Sequence, residues 1–441
     1  MSDNNKKKEE EEPKTMEDLV KEIKALKDII AVYKNDITML KVDKQAKDWK
    51  LGFFDQRVRL QDEQIADLKA SVKELKKSNE EMKQFLQNEE IESKRRHEKR
   101  REELIKYEET KIEEDEKIKF EFKKDITSDA PSYCSATQMF SAFKTVKGET
   151  IAAWVTKEKT IELYDLEKET PIKTVKDAHS KDIHTCRHFL DTKTNSDLLI
   201  TCGYDKSVKV WNIENMDKPM VTIANAHSNG YIFTACLLSH EKMKENYIIS
   251  GADDEGIKIF DFSGKFLDKK VKVNDYVNLL DVYYYKREKK FCLINANSHD
   301  IRVYNFDDLK VYKTYIEKNA SSHAHVVVYE NEKDDQVQLI DSDMKGFIHI
   351  WDFNTEECLK TIFLQTIING ICLWDSEHVV CTGRDQKIKI VDLKKGRIVR
   401  LLTGHEKDTL SVQKINIPKY GDCIISHGKD GLLKVWSFIK N

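Results

Sequence analysis

The residues LLITCGYDKSVKVWN, positions 198–212, decide the fold of this chain of 441 residues. An apolar run is followed by a tight polar turn and then by a second run in which apolar and polar residues alternate, which is typical of two neighbouring β-strands. The same pattern recurs in YIISGADDEGIKIFD (247–261), HVVCTGRDQKIKIVD (378–392) and CIISHGKDGLLKVWS (423–437), and more loosely in VQLIDSDMKGFIHIWD (337–352). The sequence therefore predicts a repeated β-hairpin.

Seven positions close this repeat once two weaker copies, KEKTIELYD (157–165) and NSHDIRVYN (297–305), are included. The closing residues are Tyr164, Trp211, Phe260, Tyr304, Trp351, Val391 and Trp436, and they are spaced 40 to 49 residues apart. A regular period of this length indicates a repeat architecture. We therefore expect seven repeats.

The repeats resemble the WD-repeat family of β-propellers, most closely in WDFNTEECLKT (351–361) and LLTGHEKDTLSV (401–412). The resemblance implies an all-β, seven-bladed propeller over residues 118–441. It also implies a hydrogen-bonded tetrad of His, Ser or Thr, Asp and Trp in each complete repeat. The matching residues are His179, Thr201, Asp205 and Trp211 in the second blade, His405, Ser426, Asp430 and Trp436 in the seventh, and His227, Ser250 and Asp254 in the third, where Phe260 replaces the Trp.

The resemblance also suggests where a partner protein binds. In this family the residue just before the turn Asp commonly faces the partner, and Tyr231 precedes the first strand of the third blade. The candidate partner-binding residues are therefore Tyr204, Tyr231, Asp253, Arg384 and Lys429. Each is equally compatible with an ordinary solvated loop residue.

Closure of the ring needs a strand from elsewhere in the chain. The repeat that contains Trp436 supplies only three strands before residue 441. Residues 118–126, IKFEFKKDI, alternate apolar and polar side chains as a half-buried strand does. We expect this segment to complete the last blade.

Residues 1–117 have a different composition, with 59 of 117 positions charged and Gly52 as the only glycine. Apolar residues repeat with a spacing of three and four from Met16 onward, which predicts a coiled coil. Its seam includes Ile23, Leu26, Ile30, Ile37, Leu40, Ile65, Leu68, Val72, Leu75 and Asn79. The expectation is a disordered tail over residues 1–15, then one long helix over residues 16–117 that is a coiled coil to about residue 90.

The seam favours a parallel homodimer. β-branched residues at position a, with Leu at position d, suit two strands, and the lone Asn79 at position a would pair with its own copy. The alternative is a single, highly charged helix. A helix over residues 16–117 would be roughly 150 Å long, which suits a protein that spans a cytoskeletal polymer.

The sequence lacks the common motifs for nucleotide binding, thiol redox chemistry and zinc binding. There is no GxGxxG, no P-loop and no CxxC pair, and the nearest approach to a metal site, His184, Cys186 and His188 on one strand, is explained equally by side-chain packing. The nine cysteines occur in a chain whose N-terminus lacks the apolar core of a signal peptide, so reduced thiols are expected. No catalytic residue, cofactor, metal or small-molecule substrate is expected.

The predicted function is that of a non-catalytic scaffold or adaptor for protein–protein interaction. We expect a coiled-coil homodimer in the cytoplasm, with cytoskeletal or ciliary assembly as the favoured setting. Alternatives are a vesicle or autophagy membrane adaptor and an RNA or chromatin scaffold that uses the basic run KRRHEKRR (94–101). The net charge of −3, and the lack of an apolar run of 18 residues, disfavour nucleic acid and membrane as partners.

Overall fold

The computed structural model describes residues 16–42, 57–81, 83–84, 110–127, 138–156, 159–228, 230–253, 256–273, 275–317, 321–331 and 336–440. The chain divides into two compact units, Met1–Lys106 and Tyr107–Asn441. The first unit is helical where it is described, and the second is built from β-strands.

Two helices make up the described part of the first unit. Helix α1 spans Met16–Val42, with Glu17 and Asp18 in its first turn, where carboxylates interact favourably with the helix dipole. Helix α2 spans residues 57–81. The predicted tail over residues 1–15, and the parts of the predicted helix over residues 43–56, 82 and 85–109, lie outside the described residues.

The two helices pack on each other. Ile30 of α1 and Val58 and Ile65 of α2 are buried together. The guanidinium carbon of Arg57 lies 5.6 Å from the ring centroid of Tyr33. In one straight helix these two residues would be roughly 36 Å apart, at about 1.5 Å per residue. The prediction of one long helix is therefore wrong for this region, because the apolar seam is buried by a second helix of the same chain.

The other seam positions vary in burial. Ile23, Leu26, Leu68 and Val72 are half-buried, whereas Leu75 and Asn79 are exposed. The side chains of Ile37 and Leu40 lie outside the described part of the chain. The heptad pattern thus corresponds, where it is described, to two short packed helices, and a long coiled coil is not supported.

Seven four-stranded antiparallel sheets, or blades, make up the second unit. Blade 1 contains β2 (Phe140–Lys144), β3 (Thr150–Val155), β4 (Ile161–Asp165) and β5 (Thr170–Val175). Blade 2 contains β6 (Ile183–Asp191), β7 (Ser196–Gly203), β8 (Val208–Asn212) and β9 (Val221–Ile223). Blade 3 contains β10 (Ile232–Leu238), β11 (Tyr247–Ala252), β12 (Ile257–Asp261) and β13 (Phe266–Val271).

The remaining blades follow the same order. Blade 4 contains β14 (Leu279–Tyr285), β15 (Lys290–Ala296), β16 (Ile301–Asn305) and β17 (Val311–Tyr315). Blade 5 contains β18 (His323–Asn331), β19 (Gln336–Asp343), β20 (Phe347–Asp352) and β21 (Cys358–Phe363). Blade 6 contains β22 (Ile368–Leu373), β23 (His378–Gly383), β24 (Lys387–Asp392) and β25 (Arg397–Thr403), and blade 7 contains β26 (Thr409–Ile417), β27 (Gly421–Gly428), β28 (Leu432–Phe438) and β1 (Phe120–Thr127).

Apolar side chains from neighbouring blades meet in seven buried clusters, one at each junction of the ring. The closing residues Trp211 and Trp351 are each 2% exposed within these clusters. The first strands of neighbouring blades contact one another, so they line the centre of the ring. The architecture is a seven-bladed propeller.

Strand β1, from the predicted segment 118–126, is the outer strand of blade 7. Phe122 lies opposite Trp436 in the antiparallel pairing of β1 with β28. The Glu169 carboxylate of blade 1 lies 2.8 Å from Lys124 Nζ of β1 and 2.9 Å from Lys419 Nζ of blade 7. Hydrogen bonds from Lys124, Tyr420 and Lys419 lower the pKa of Glu169 to about 2. These contacts join the first and last parts of the ring.

Residues 110–118 lie along the outer strand of blade 6 and are not helical. The backbone N–H of Glu113 donates to the carbonyl oxygen of Ile398 at 3.0 Å, and Ile398 donates back to Lys111 at 3.1 Å. The predicted helix is therefore wrong over residues 110–117 as well, because these backbone groups pair with β25.

Two arginines of β25 hold this segment. Arg400 donates to the carbonyl oxygens of Ile118 at 2.7 Å and Asp115 at 2.9 Å, and its Nη1 lies 2.9 Å from a carboxylate oxygen of Glu114. Arg397 pairs with the carboxylate of Glu113. The acidic run thus neutralises the arginines and covers a strand edge that would otherwise be open to another chain.

Alternating strand directions give the ring two distinct faces. Connections between blades, and turns between the second and third strands of a blade, emerge on one face, which we call the upper face. Turns between the first and second strands, and between the third and fourth, emerge on the other, the lower face. All of the predicted partner-binding residues belong to loops of the upper face.

Candidate partner-binding face of the propeller

The tetrad of blade 2 holds a turn of the upper face in place. His179 Nδ1 donates to the Asp205 carboxylate at 3.0 Å, and His179 Nε2 accepts from the Thr201 hydroxyl at 2.8 Å. Trp211 Nε1 donates to the same hydroxyl at 2.9 Å. Although burial alone would raise it, the hydrogen bonds from His179 and Ser207 lower the pKa of Asp205 below its ordinary value.

Blade 7 repeats this arrangement. His405 lies 2.9 Å from the Asp430 carboxylate and 2.8 Å from the Ser426 hydroxyl, to which Trp436 Nε1 donates at 3.1 Å. Burial lowers the pKa of His405, which keeps its imidazole neutral at pH 7. The tetrads are therefore structural, since every ring nitrogen in them is used to join strands and turns.

Blade 3 has only part of the tetrad. His227 Nε2 lies 2.9 Å from the Ser250 hydroxyl. Phe260, at the closing position, has no N–H group to donate. The third predicted member, Asp254, lies outside the described residues.

Blade 5 contains a fourth hydrogen-bonded group that the sequence analysis missed. Asp341 on β19 accepts from Trp351 Nε1 and from His323 Nδ1, the latter at 2.6 Å. His323 and Asp341 are both fully buried. Burial alone would lower the pKa of His323, but the Asp341 carboxylate outweighs it and raises the pKa. The signal in the sequence was an Asp ten residues before Trp351, where blades 2 and 7 have Thr or Ser.

Five aromatic side chains from blades 2 to 4 cluster at the upper end of the central channel. They are His184 on β6, Tyr204 in the turn after β7, Tyr231 and Phe233 at the start of blade 3, and Tyr276 before β14. The ring centroids are separated by 4.2 Å for His184 and Tyr204, 4.6 Å for Tyr204 and Tyr231, 5.3 Å for His184 and Phe233, and 6.1 Å for Phe233 and Tyr276. We call this group the aromatic mouth.

The mouth is open to solvent while its base is packed. Tyr231 is 42% exposed and Tyr276 53% exposed, whereas His184 is 2% exposed. Burial lowers the pKa of His184 to about 4, so this imidazole is uncharged at pH 7. The cluster therefore offers apolar surface without positive charge at its base.

Backbone hydrogen bonds position the tyrosines. Tyr231 N–H donates to Asp253 Oδ1 at 2.7 Å, and Tyr276 N–H donates to Asp275 Oδ1 at 2.7 Å. Tyr204 N–H donates to the carbonyl oxygen of Asp182 at 2.9 Å. A Cβ added to Gly203 would stand 2.0 Å from that same carbonyl, so only glycine permits this approach. Acidic loop residues thus hold all three tyrosines.

The structure brings together only some of the predicted partner-binding residues. Tyr204, Tyr231 and Asp253 belong to the aromatic mouth or its rim. Arg384 is exposed in the turn after β23 of blade 6, and Lys429 of blade 7 forms an ion pair with Asp408 at 3.0 Å. Phe233 and Tyr276 were missed; Phe233 occupies the same second place of its strand as His184, which could have indicated it.

The side chains of β6 that came nearest to a metal site in the sequence, His184, Cys186 and His188, are engaged in packing and hydrogen bonding. No group of three His, Cys, Asp or Glu side chains in them is arranged to hold a metal ion. His188 bonds to Asp197 at 2.8 Å and stacks on Phe143, and burial raises the pKa of Cys186 to about 12. No helix in the described ranges has the length and apolar character needed to cross a membrane.

Comparison with known proteins gives one family match and distant relatives. Residues 169–212 match the family described as WD domain, G-beta repeat. The chain is 26% identical to GID complex subunit 7 of Schizosaccharomyces pombe over 135 residues, which cover 30% of this chain and 25% of that protein. It is 22% identical to the CCR4-associated factor 4 homolog of Vanderwaltozyma polyspora over 262 residues, which cover 54% of this chain and 32% of that protein.

These alignments span a third or less of the relatives' own length. The family match coincides with blade 2 and its complete tetrad, from the last turn of blade 1 to the end of β8. The other six blades have the same four-stranded topology. The chain is thus a seven-bladed propeller whose second blade matches the WD-repeat family model.

Proposed function

We propose that this protein is a non-catalytic scaffold that binds a partner protein at the aromatic mouth. The observation that carries the proposal is the cluster of tyrosine and phenylalanine rings from three blades, half-exposed on a rigid ring. Aromatic side chains are enriched among the residues that dominate binding energy, because they bury much area at a small cost in conformational entropy. WD-repeat propellers are generally scaffolds, which agrees with this role.

A role as a subunit of a multiprotein complex extends the proposal. The fission-yeast relative is named as a subunit of a complex, and its similarity to this chain covers 135 residues. A cytoplasmic location also belongs to the proposal, since the eight cysteines that the structure describes are free thiols.

A cytoskeletal or ciliary setting is no longer favoured, because the long helix on which it rested is not supported. That setting rested on a rod of roughly 150 Å, whereas α1 has 27 residues and a length of about 40 Å at 1.5 Å per residue. No described contact favours a membrane adaptor or an RNA scaffold either. We therefore base the function on the propeller face alone.

Self-association through the helices is a separate proposal. Val20, Ile29, Val32 and Leu60 remain 41 to 59% exposed on α1 and α2, and a second copy of the helices packed there would remove them from water. Light scattering on the whole chain tests it. A mass of one chain at all concentrations would contradict homodimerisation.

The scaffold proposal is tested with a double variant, Tyr231→Ala with Tyr276→Ala. Proteins that co-purify with the wild-type chain from its source cells are quantified by mass spectrometry and compared between variants. Leu190→Ala is the matched control, since Leu190 is 41% exposed at the lower end of β6 in blade 2. We expect the double variant to lose a specific set of partners by at least about tenfold, corresponding to 1.4 kcal/mol, and the control to keep them. An unchanged set in the double variant would contradict the proposal.

A further inference from the structure

We propose that the aromatic mouth binds a cationic side chain, lysine or arginine, of a basic segment in the partner protein. This inference rests on the proposed function and names the chemistry of the ligand. Three observations carry it: the exposed surfaces of Tyr231 and Tyr276, the carboxylates that contact these two residues, and the uncharged base.

The rings stand at steep angles to one another. The interplanar angle is 65° between Tyr204 and Tyr231, 59° between His184 and Tyr204, 72° between His184 and Phe233, and 80° between Phe233 and Tyr276. Rings at such angles pack edge to face on one another. The surface left for a ligand is therefore the exposed part of Tyr231 and Tyr276, which are 42% and 53% exposed. A cation gains energy when it lies within about 6 Å of an aromatic face.

Two carboxylates contact the backbone of the exposed tyrosines. Asp253 accepts from Tyr231 N–H and Asp275 accepts from Tyr276 N–H, and both residues are half-buried. The Asp275 carboxylate also accepts from the backbone and the hydroxyl of Ser298 and lies 3.8 Å from His299 Nε2. The neighbouring loops carry the lysines Lys181, Lys206 and Lys272, of which Lys206 donates from Nζ to the carbonyl oxygen of Ser228 at 3.1 Å. A cation bound at Tyr231 and Tyr276 would meet the negative charges of Asp253 and Asp275.

The same charges argue against an anionic ligand. Bases of single-stranded RNA also stack on aromatic rings, but such binding relies on a positively charged groove that follows the phosphates. Here phosphates would approach the carboxylates of Asp253 and Asp275. The neutral His184 at the base adds no compensating positive charge. A basic peptide segment therefore fits better than a nucleic acid.

The experiment uses the full chain and small probes, because binding of a single side chain is weak. N-acetyl-lysine amide and N-acetyl-arginine amide are titrated by saturation-transfer NMR, with N-acetyl-glutamine amide, N-acetyl-glutamate amide and a short oligouridine as comparisons. We expect the two cationic probes to bind roughly 3- to 30-fold more tightly than the glutamine probe. The double variant Tyr231→Ala with Tyr276→Ala should abolish this preference.

A second variant separates charge from shape. Asp253→Asn keeps an oxygen to accept from Tyr231 N–H but removes the negative charge, so we expect the affinity for the cationic probes to fall roughly threefold and that for the glutamine probe to stay unchanged. Equal binding of all amide probes, preferential binding of oligouridine, or a lysine preference that survives in the double variant would each overturn the inference.

The partner experiment and the probe experiment distinguish a wrong binding site from a wrong ligand. If the double variant loses its partners but the probes show no preference for cations, the binding site stands and the proposed ligand chemistry is wrong. If the partners remain bound to the double variant, the mouth is not the partner site. The Leu190→Ala control should match the wild type in both experiments.

Discussion

Blades 2 and 5 hold their closing tryptophans in chemically different ways. In blade 2, Trp211 donates to the neutral hydroxyl of Thr201, and the carboxylate of Asp205 lies one turn away at the upper face. In blade 5, Trp351 donates directly to the buried carboxylate of Asp341, which His323 also contacts. The comparison shows that the repeat requires an acceptor ten residues before the tryptophan, and that the acceptor can be neutral or charged.

The charged acceptor of blade 5 depends more strongly on its hydrogen-bond partners than the neutral acceptor of blade 2. A buried carboxylate is costly unless it is paired and hydrogen-bonded, and burying a neutral hydroxyl costs less. His323 and Trp351 therefore compensate Asp341, and removing Asp341 leaves both of them without their buried acceptor. Replacing the acceptor should therefore lower the free energy of unfolding more in blade 5 than in blade 2.

The largest effect is expected for Asp341→Ala. The substitution leaves the buried His323 and the Trp351 N–H without their acceptor, so we expect the free energy of unfolding to fall by about 3–5 kcal/mol. Urea denaturation followed by tryptophan fluorescence measures the loss. Asp341→Asn, which keeps the shape and one acceptor, should lose less. A change below about 0.5 kcal/mol in Asp341→Ala would mean that the two blades do not differ in this respect.

Thr201→Ala should have a smaller effect in blade 2. It removes the hydroxyl between His179 and Trp211 and leaves two buried N groups unsatisfied, at a cost of about 1–3 kcal/mol. The same denaturation experiment checks it, with Thr222→Ala on β9, an exposed position, as the control. A loss as large as that of Asp341→Ala would remove the distinction between neutral and charged acceptors.

Trp211→Phe imitates the natural situation in blade 3, where Phe260 closes the repeat. The variant loses one hydrogen bond and some buried volume, but Thr201 keeps His179 as a partner. We expect a loss of about 1–2 kcal/mol, measured as above. If the ring instead failed to fold, blade 3 would have to owe its stability to contacts other than its tetrad.

The smallest expected effect is a pH dependence of opposite sign in the two blades. The pKa of His323 is raised in the folded state, so its contribution to stability is complete below pH 6.5 and is lost as pH rises through the raised value. The pKa of His179 is lowered mainly by burial, so its contribution is lost as pH falls below 6.5. The difference in unfolding free energy between wild type and Asp341→Asn should therefore shrink from pH 5.5 to pH 8. The Thr201→Ala difference should not shrink over this range.

Much of the propeller could be predicted because its signals are local. Each blade repeats the period-two alternation of strands, and the distance from the turn Asp to the Trp is the same in blades 2 and 7. Tyr204, Tyr231 and Asp253 could be singled out because they lie next to those turns. The contact between the mouth residues Phe233 and Tyr276 was not predictable, because it depends on how neighbouring blades are arranged.

The helices show where pattern alone is insufficient. A heptad seam indicates that Ile30 and Ile65 need an apolar partner, but a partner from the same chain satisfies the same spacing as a second chain. The acidic residues near position 115 lie within the segment that was predicted to be helical. Its counterparts, Arg397 and Arg400, lie almost 290 positions later in the sequence, so only the fold reveals the pairing.

The strip of chain from residue 110 to residue 127 has a mechanical consequence. It runs first beside β25 of blade 6 and then enters blade 7 as β1, so tension applied to the chain at residue 110 passes through two successive ladders before it reaches the rest of the ring. The ion pairs of Arg397 and Arg400 bear the load first, and the pairing of β1 with β28 bears it next. A force large enough to break both sets of hydrogen bonds would remove the strand that completes blade 7. Blades 6 and 7 are therefore the part of the ring that resists such a force.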